Sequence, residues 1–292
     1  MADANRLLVI AAVVGLSLLV AAGIARVVEL RVGGSELAQS GGSSSETVQF
    51  ADPQLEGVVR EILGSAGAPF VAVHLARIKQ ISARGRGIED LRGLEYCTGL
   101  ERLDLSDNKI LSIGALSQLT ELRTLYLANN LIRDLQPLAD LEWLADLDLS
   151  GNRLEEVSPL AGLGSMAHLN LSRNEIRDVG ALWRIRALFT LDLSENSIES
   201  VSGIPQVQPC AGPGSRVWIP ARGKYVEISC ANPTIDLSDN LIQDISPLLG
   251  WIDQAFAGHA VDLSGDPLDL ADGSPTREII RELESRGIRV CR

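Results

Sequence analysis

Apolar residues recur at fixed offsets through the middle of this chain. The segments LERLDLSDNKI, LRTLYLANNLI, LADLDLSGNRL, MAHLNLSRNEI and LFTLDLSENSI align without gaps, each 22 residues after the last. Each contains L-x-L, whose period of two predicts a short strand with its leucines on one side. An asparagine then recurs at Asn108, Asn130, Asn152, Asn174 and Asn196, followed two residues later by another apolar position. Asn240, in TIDLSDNLI, lies 44 residues after Asn196, which is two periods; Asp266 takes the equivalent place in AVDLSGDPL, and Arg86 in ISARGRGI marks a degenerate first repeat. A fixed period of this length predicts a solenoid, in which every unit buries its apolar face against its neighbours. The pattern gives an α/β solenoid of about eight coils with a parallel β-sheet on the concave side. Proline recurs seven residues after the asparagine, at Pro137, Pro159 and Pro247. Its fixed φ suits irregular or 3-10 turns on the convex side better than long helices.

A solenoid must cap its ends, because terminal coils otherwise expose the core. Asp52-Pro53 reads as an N-cap followed by proline at the first helical position, and Leu55, Val58, Val59, Ile62 and Leu63 follow helical spacing up to Gly64. Ser274-Pro275 opens a second helix carrying Ile279, Ile280 and Leu283, stopped by Gly287, with Ile288 and Val290 as a last extended piece. The expected organisation is therefore residues 48–80 as the N-terminal helical cap, 81–270 as the solenoid and 271–292 as the C-terminal cap.

The L-x-L-x-x-N-x-[IL] repeat resembles the leucine-rich repeat family, in its short 22-residue class. Internalin-type bacterial surface proteins and the nuclear regulatory subunit of type 1 phosphatase belong to that class. The resemblance covers roughly residues 48–292 and carries over only the structural leucine and asparagine positions. It implies a scaffold whose function lies in its surfaces. The asparagines Asn108, Asn130, Asn152, Asn174, Asn196 and Asn240 are expected to form a ladder of side-chain amides joining successive coils.

Ahead of the repeat stands LLVIAAVVGLSLLVAAGIA, Leu7 to Ala25, 19 residues without a charge. That length spans a ~30 Å hydrocarbon core as a helix. Residues 1–32 thus read as a signal anchor, or as a signal peptide cut near Gly23-Ile24-Ala25. Both readings place the solenoid outside the cytoplasmic membrane, held by a single N-terminal pass or secreted. Residues 33–47, rich in glycine and serine, read as a flexible tether.

By the period of two, residues alternating with the leucines face outward. A central column comprises Asp104, Tyr126, Asp148, Asn170, Asp192, Asp236 and Asp262. Arg102, Thr124, Asp146, His168, Thr190, Thr234 and Ala260 flank it on one side; Ser106, Ala128, Ser150, Ser172, Ser194, Ser238 and Ser264 are expected to flank it on the other. Strand neighbours lie ~4.8 Å apart, so like charges repel and should raise some carboxylate pKa values. The acidic stripe either solvates the sheet or recognises a basic or hydrogen-bonding partner. Tyr126 and His168 depart from the pattern and are the candidate specific contacts.

Between Asn196 and Asn240 the repeat is interrupted by CAGPGSRVWIPARGKYVEISC, bracketed by Cys210 and Cys230. Arg216 to Ile219 and Tyr225 to Ser229 read as strands, giving an inserted hairpin over 206–231 that a Cys210–Cys230 disulfide would close. Arg216, Arg222 and Lys224 make it locally basic. It either folds back on the acidic body or offers Trp218 and Tyr225, with Arg222, to a partner. Cys97 and Cys291 lie at opposite ends of the solenoid, beyond disulfide reach.

Net charge narrows the remaining classes. At −12, the chain lacks the Lys/Arg excess that nucleic-acid binding needs. His74, His168 and His259 show no metal-ligand spacing, and the chain carries no phosphate loop or nucleophile motif. We expect no enzyme activity, cofactor or metal, and a monomer. The expected function is an adhesin-like or scaffolding module that binds another protein or a cell-surface polymer. The partner-binding candidates are Tyr126, Asp148, His168, Asn170, Asp192, Trp218, Arg222, Tyr225 and Asp236. The alternative is a regulatory subunit-like module that binds and modulates an enzyme.

Overall fold

A computed structural model of the chain describes residues 47–64, 67–185, 188–202, 216–219, 224–227, 234–251 and 260–292. All lie in the compact unit Ser44–Arg292. The apolar segment Leu7 to Ala25, the tether up to residue 46, Arg222, Cys210 and Cys230 lie outside the described residues.

Every L-x-L becomes strand. β3 (Gln80–Ser82), β4 (Arg102–Asp104), β5 (Thr124–Tyr126), β6 (Asp146–Asp148), β7 (His168–Asn170), β8 (Thr190–Asp192), β11 (Thr234–Asp236) and β12 (Ala260–Asp262) are three residues each, and β13 (Arg289–Cys291) joins them. They form a nine-stranded sheet in the order β13-β12-β11-β8-β7-β6-β5-β4-β3. All pairings are parallel, and Leu103, Leu125, Leu147, Leu169 and Leu191 stack in register. The interruption leaves this register intact, since Ile235 of β11 pairs with Leu191 of β8. A slip of one residue there would have turned every core leucine outward. Within the interruption, β9 (Arg216–Ile219) and β10 (Lys224–Glu227) pair antiparallel, with Trp218 opposite Tyr225.

The opposite side is built of single 3-10 turns, Leu94–Tyr96, Gly114–Leu116, Gln136–Leu138, Ser158–Gly162, Gly180–Arg184 and Ser246–Trp251. Each sends one leucine into the core (Leu94, Leu116, Leu138, Leu160, Leu182 and Leu248). Pro137 and Pro159 stand in the first turn of theirs.

Between sheet and turns runs the asparagine ladder. Asn130 Oδ1 accepts the Ile110 N–H at 3.0 Å, while its Nδ2 donates to Leu105 O of the preceding coil and to Leu127 O of its own, both at 3.0 Å. Asn108, Asn152, Asn174, Asn196 and Asn240 repeat this arrangement. Across the interruption Asn240 reaches Leu193 O and receives the Ile198 N–H. The residue before each asparagine takes a left-handed conformation (Asp107, Asn129, Gly151, Arg173, Glu195, Asp239), which turns the chain off the strand and the amide inward. At Gly151, with φ +64°, a Cβ would stand 2.4 Å from Asn129 Oδ1, so any side chain there would have to displace the Asn129 amide.

At the N-terminal end, α1 (Pro53–Leu63) buries Leu55, Val58 and Val59, and Gly64 closes it at φ 62°. The expected core stripe is shorter than its spacing suggested, because Ile62 in the last turn is 44% exposed. β1 (Thr47–Val48) pairs with β2 (Phe70–Val71), where Phe50 packs edge-on against Phe70 at 5.0 Å; a short helix, α2 (Ala72–Leu75), follows. Asp52 joins cap to coil. One carboxylate oxygen accepts Gln54 and Leu55 N–H of the helix, and the other accepts Glu89 and Asp90 N–H of the first coil. At the far end α3 (Pro275–Ser285) starts on Ser274, whose hydroxyl accepts the Arg277 N–H, and buries Ile280 and Leu283.

Two predictions follow from these bonds. Asn152→Ala strands the Ile132 N–H and removes the donor shared by Leu127 O and Leu149 O, and should cost about 2–4 kcal/mol in urea unfolding. For Asp52, burial raises the carboxyl pKa, but its four amide bonds more than offset this and hold it below the ordinary value. Its stabilisation is therefore present above the unfolded pKa and lost as pH falls through the depressed folded value. Asp52→Asn should destabilise by about 1.5–3 kcal/mol at pH 7, the difference shrinking towards pH 3 in the same assay.

Candidate functional site

The strand residues that alternate with the leucines line one face of the sheet. Asp104, Tyr126, Asp148, Asn170, Asp192, Asp236 and Asp262 lie in register along its centre. Most of these carboxyl and amide groups already have a local task. Asp148 Oδ1 accepts both the N–H and the hydroxyl of Ser150, at 3.0 and 2.7 Å. Asn170–Ser172, Asp192–Ser194, Asp236–Ser238 and Asp262–Ser264 repeat that pair, and Asp104 takes the Ser106 N–H. D-x-S is thus a side-chain turn that closes the chain as it leaves the strand.

This corrects the expectation that the serines form an outward column. By the serine the strand has ended, and the turn draws the hydroxyl back to its aspartate; Ser106 and Ser172 are buried. Each aspartate keeps its second oxygen, and Asn170, obliged to accept with Oδ1, is left with its Nδ2 as a donor.

Tyr126 stands apart. Where the other coils pair Asp or Asn with Ser, this coil has Tyr126 and Ala128, so neither side chain makes the turn bond. The Tyr126 ring is 37% exposed. Burial raises its phenol pKa first, and the Asp146 charge next; Arg102 opposes, while Asp148 and Asp104 add to the rise. The neighbouring carboxylates thus oppose ionisation of this phenol. On the flanking column His168 is exposed, with Nδ1 2.9 Å from Thr190 Oγ1 and its ring 6.2 Å from Phe189.

The fold thus gathers Tyr126, Asp148, His168, Asn170 and Asp192 on the adjacent strands β5 to β8, with Asp236 on the next strand, β11. Trp218 and Tyr225 belong to the separate two-stranded sheet, and Arg222 lies outside the described residues. The roles of Asp146 and Arg102 beside Tyr126 escaped sequence reasoning, although the matched change to Ala128 was visible there. Along the sheet's rim, Arg84 Nε and Asn129 Nδ2 both donate to Asp107, which holds that carboxyl below its ordinary pKa. Cys97 is fully buried and its thiol is pushed up to about 12 by burial; Cys97 and Cys291 are both free. Among the described residues no cluster of His, Cys, Asp or Glu could hold a metal ion.

The family description "Leucine Rich repeats (2 copies)" matches residues 98–140 and 120–162, and "Leucine rich repeat" matches 142–198. The fold is a leucine-rich repeat solenoid. It is similar to that of internalin C2 from Listeria monocytogenes, with TM-score 0.62 and 23% identity over 80% of this chain and 96% of that one. The internalin InlF of the same organism gives TM-score 0.51 and 23% identity over 76% and 72%. The functional domain of InlJ, described as including a cysteine ladder, gives 0.51 and 20% over 79% and 55%. No curated protein matches the chain.

The turn and charge roles of these leucine-rich repeats are separable. Asp148→Asn retains the Oδ1 acceptor, as Asn170 does naturally, and should change unfolding stability by less than about 0.5 kcal/mol. Asp148→Ala leaves Ser150 without its partner and should cost about 1 kcal/mol by the same measurement.

Proposed function

We propose that this leucine-rich repeat solenoid is a non-enzymatic protein-binding module displayed outside the cytoplasmic membrane, with the outward sheet face around Tyr126 as its contact surface. The carrying observation is the Tyr126–Ala128 coil, the place where the turn pair is given up for an exposed aromatic ring. An aromatic ring that is partly buried by its neighbours loses little conformational freedom on binding, which favours it as an anchor. Around it, Asp148, Asp192 and Asp236 each hold one oxygen in a fixed turn and keep the other available, and Asn170 and His168 add hydrogen-bonding groups. Preorganised carboxylates and one aromatic suit a partner surface with basic and hydrogen-bonding groups. The hairpin carrying Trp218, Tyr225 and Arg222 is a second candidate contact. The internalin-like fold supports the protein-binding reading, and the apolar segment Leu7 to Ala25 supports display at a membrane. Among the described residues no helix is long and apolar enough to cross one.

The test is capture of partners from cell-surface material by the full chain and by a Tyr126→Asp, Ala128→Ser double variant. That variant restores the common turn and should fold at least as stably as the wild type while losing most of the captured protein. Equal capture by both would exclude the Tyr126 surface, and a further variant lacking 206–231 would then assign the contact to the hairpin or dismiss it. Protease added to intact cells should degrade the solenoid; survival of the protein would refute external display.

A further inference from the structure

The asparagine ladder ends on an acid. Asp266 stands at the next rung, and its Oδ1 accepts the Ile242 N–H at 3.0 Å as each asparagine does for the coil before it. The other half of the side chain differs. At Asn240 the second atom is Nδ2, which donates to Leu193 O, Leu237 O and Ser238 O. At Asp266 it is Oδ2, a buried atom without a hydrogen-bond partner. At this rung the carbonyls that an asparagine Nδ2 would serve, by analogy with Asn240, are those of Leu237, Leu263 and Ser264. An ionised carboxylate cannot donate to them and is repelled by them; a protonated carboxyl supplies the missing O–H. Asp266 lies in the loop between β12 and α3; Val261 of β12, Leu263 just after it, and Ile280 and Leu283 of α3 form the end of the core.

We propose that Asp266 is an acid-operated latch on the C-terminal coil: taking up one proton from solvent, it replaces the absent asparagine, completes the ladder and tightens residues 260–292 onto the solenoid. The charges that act on it are both negative, Asp239 from the turn after β11 and Asp262 from β12. β13 places the thiol-bearing Cys291 in register with Asp262. Three of the five arginines of α3 and the C-terminus pair with other acids, Arg277 with Asp272, Arg286 with Glu282 and Arg292 with Glu284; Arg281 and Arg289 complete the set. Asp244, in the coil bonded to Asp266, accepts the Ser246 N–H. Burial, then those two aspartates, push the Asp266 carboxyl up to about 6, against the pull of the Ile242 and Asn240 amides. Because the folded value is raised, its contribution is fully present below the unfolded pKa and is lost as pH rises through the folded one, a window of about pH 4 to 6.

Amide hydrogen exchange on the full chain, corrected for the intrinsic pH dependence of exchange, reads this directly. Protection of Ile242 and of residues 260–292 should fall roughly ten- to thirtyfold between pH 4.5 and pH 7, while Leu127 and Leu149 in the central coils stay flat. Asp266→Asn should remove that slope and leave the segment better protected than wild type at pH 7. Asp239→Asn, which keeps the latch but removes a neighbouring charge, should move the midpoint to lower pH. A wild-type profile without the slope, or an Asp266→Asn segment less protected at pH 7, would overturn the proposal.

Discussion

A buried side-chain amide that must satisfy backbone groups on two coils at once is the constraint on which this solenoid rests. Strands of three residues close few hydrogen bonds, and the chain then turns away at a left-handed residue, leaving carbonyls and amides facing the interior. Unpaired, each would cost about 1–3 kcal/mol. Asparagine presents an acceptor and a donor in one plane, so a single residue bonds back to the apolar segment and the strand end of the preceding coil, and also to its own strand end. Glutamine would overshoot, and aspartate supplies only the acceptor. The constraint also fixes the spacing: the amide reaches the preceding coil only if each strand begins in phase with the last. The interruption between β8 and β11 obeys it, since Asn240 makes the same bonds across a doubled sequence distance.

The ladder leaves the outer face to a second, weaker code. D-x-S closes the turn after each strand, so an aspartate there is a local structural choice before it is a charge. Repetition of that pair gives the face its acidity without requiring a ligand. A coil that abandons it has lost about 1 kcal/mol of turn bonding and gained an exposed aromatic ring. That exchange singles out Tyr126 more sharply than the acidity of its surroundings does.

Both ends of the stack depend on an aspartate with opposite consequences. Asp52 faces four amide donors, and its charge is what it contributes. Asp266 has a buried Oδ2 with no donor to meet it, and its charge is what it must give up. The same carboxyl group is held low at one cap by four amide donors and high at the other by burial and two neighbouring aspartates.

The sequence by itself determined the period, the phase, the inward leucines, the cap helices and the position of every ladder asparagine. These are local or strictly repeated, and an error in one coil would break the alignment of the rest. Tertiary structure decided what depends on which atom of a side chain meets which neighbour. It drew the serines back onto the central aspartates, committed one oxygen of each of those aspartates to its turn, set Asp146 and Arg102 beside Tyr126, left Ile62 exposed at the end of α1, and stranded Asp266 Oδ2. Spacing records that a residue repeats; only the packed coils bring the carbonyl that rewards a donor to about 3 Å from it, or leave a buried acceptor with no donor.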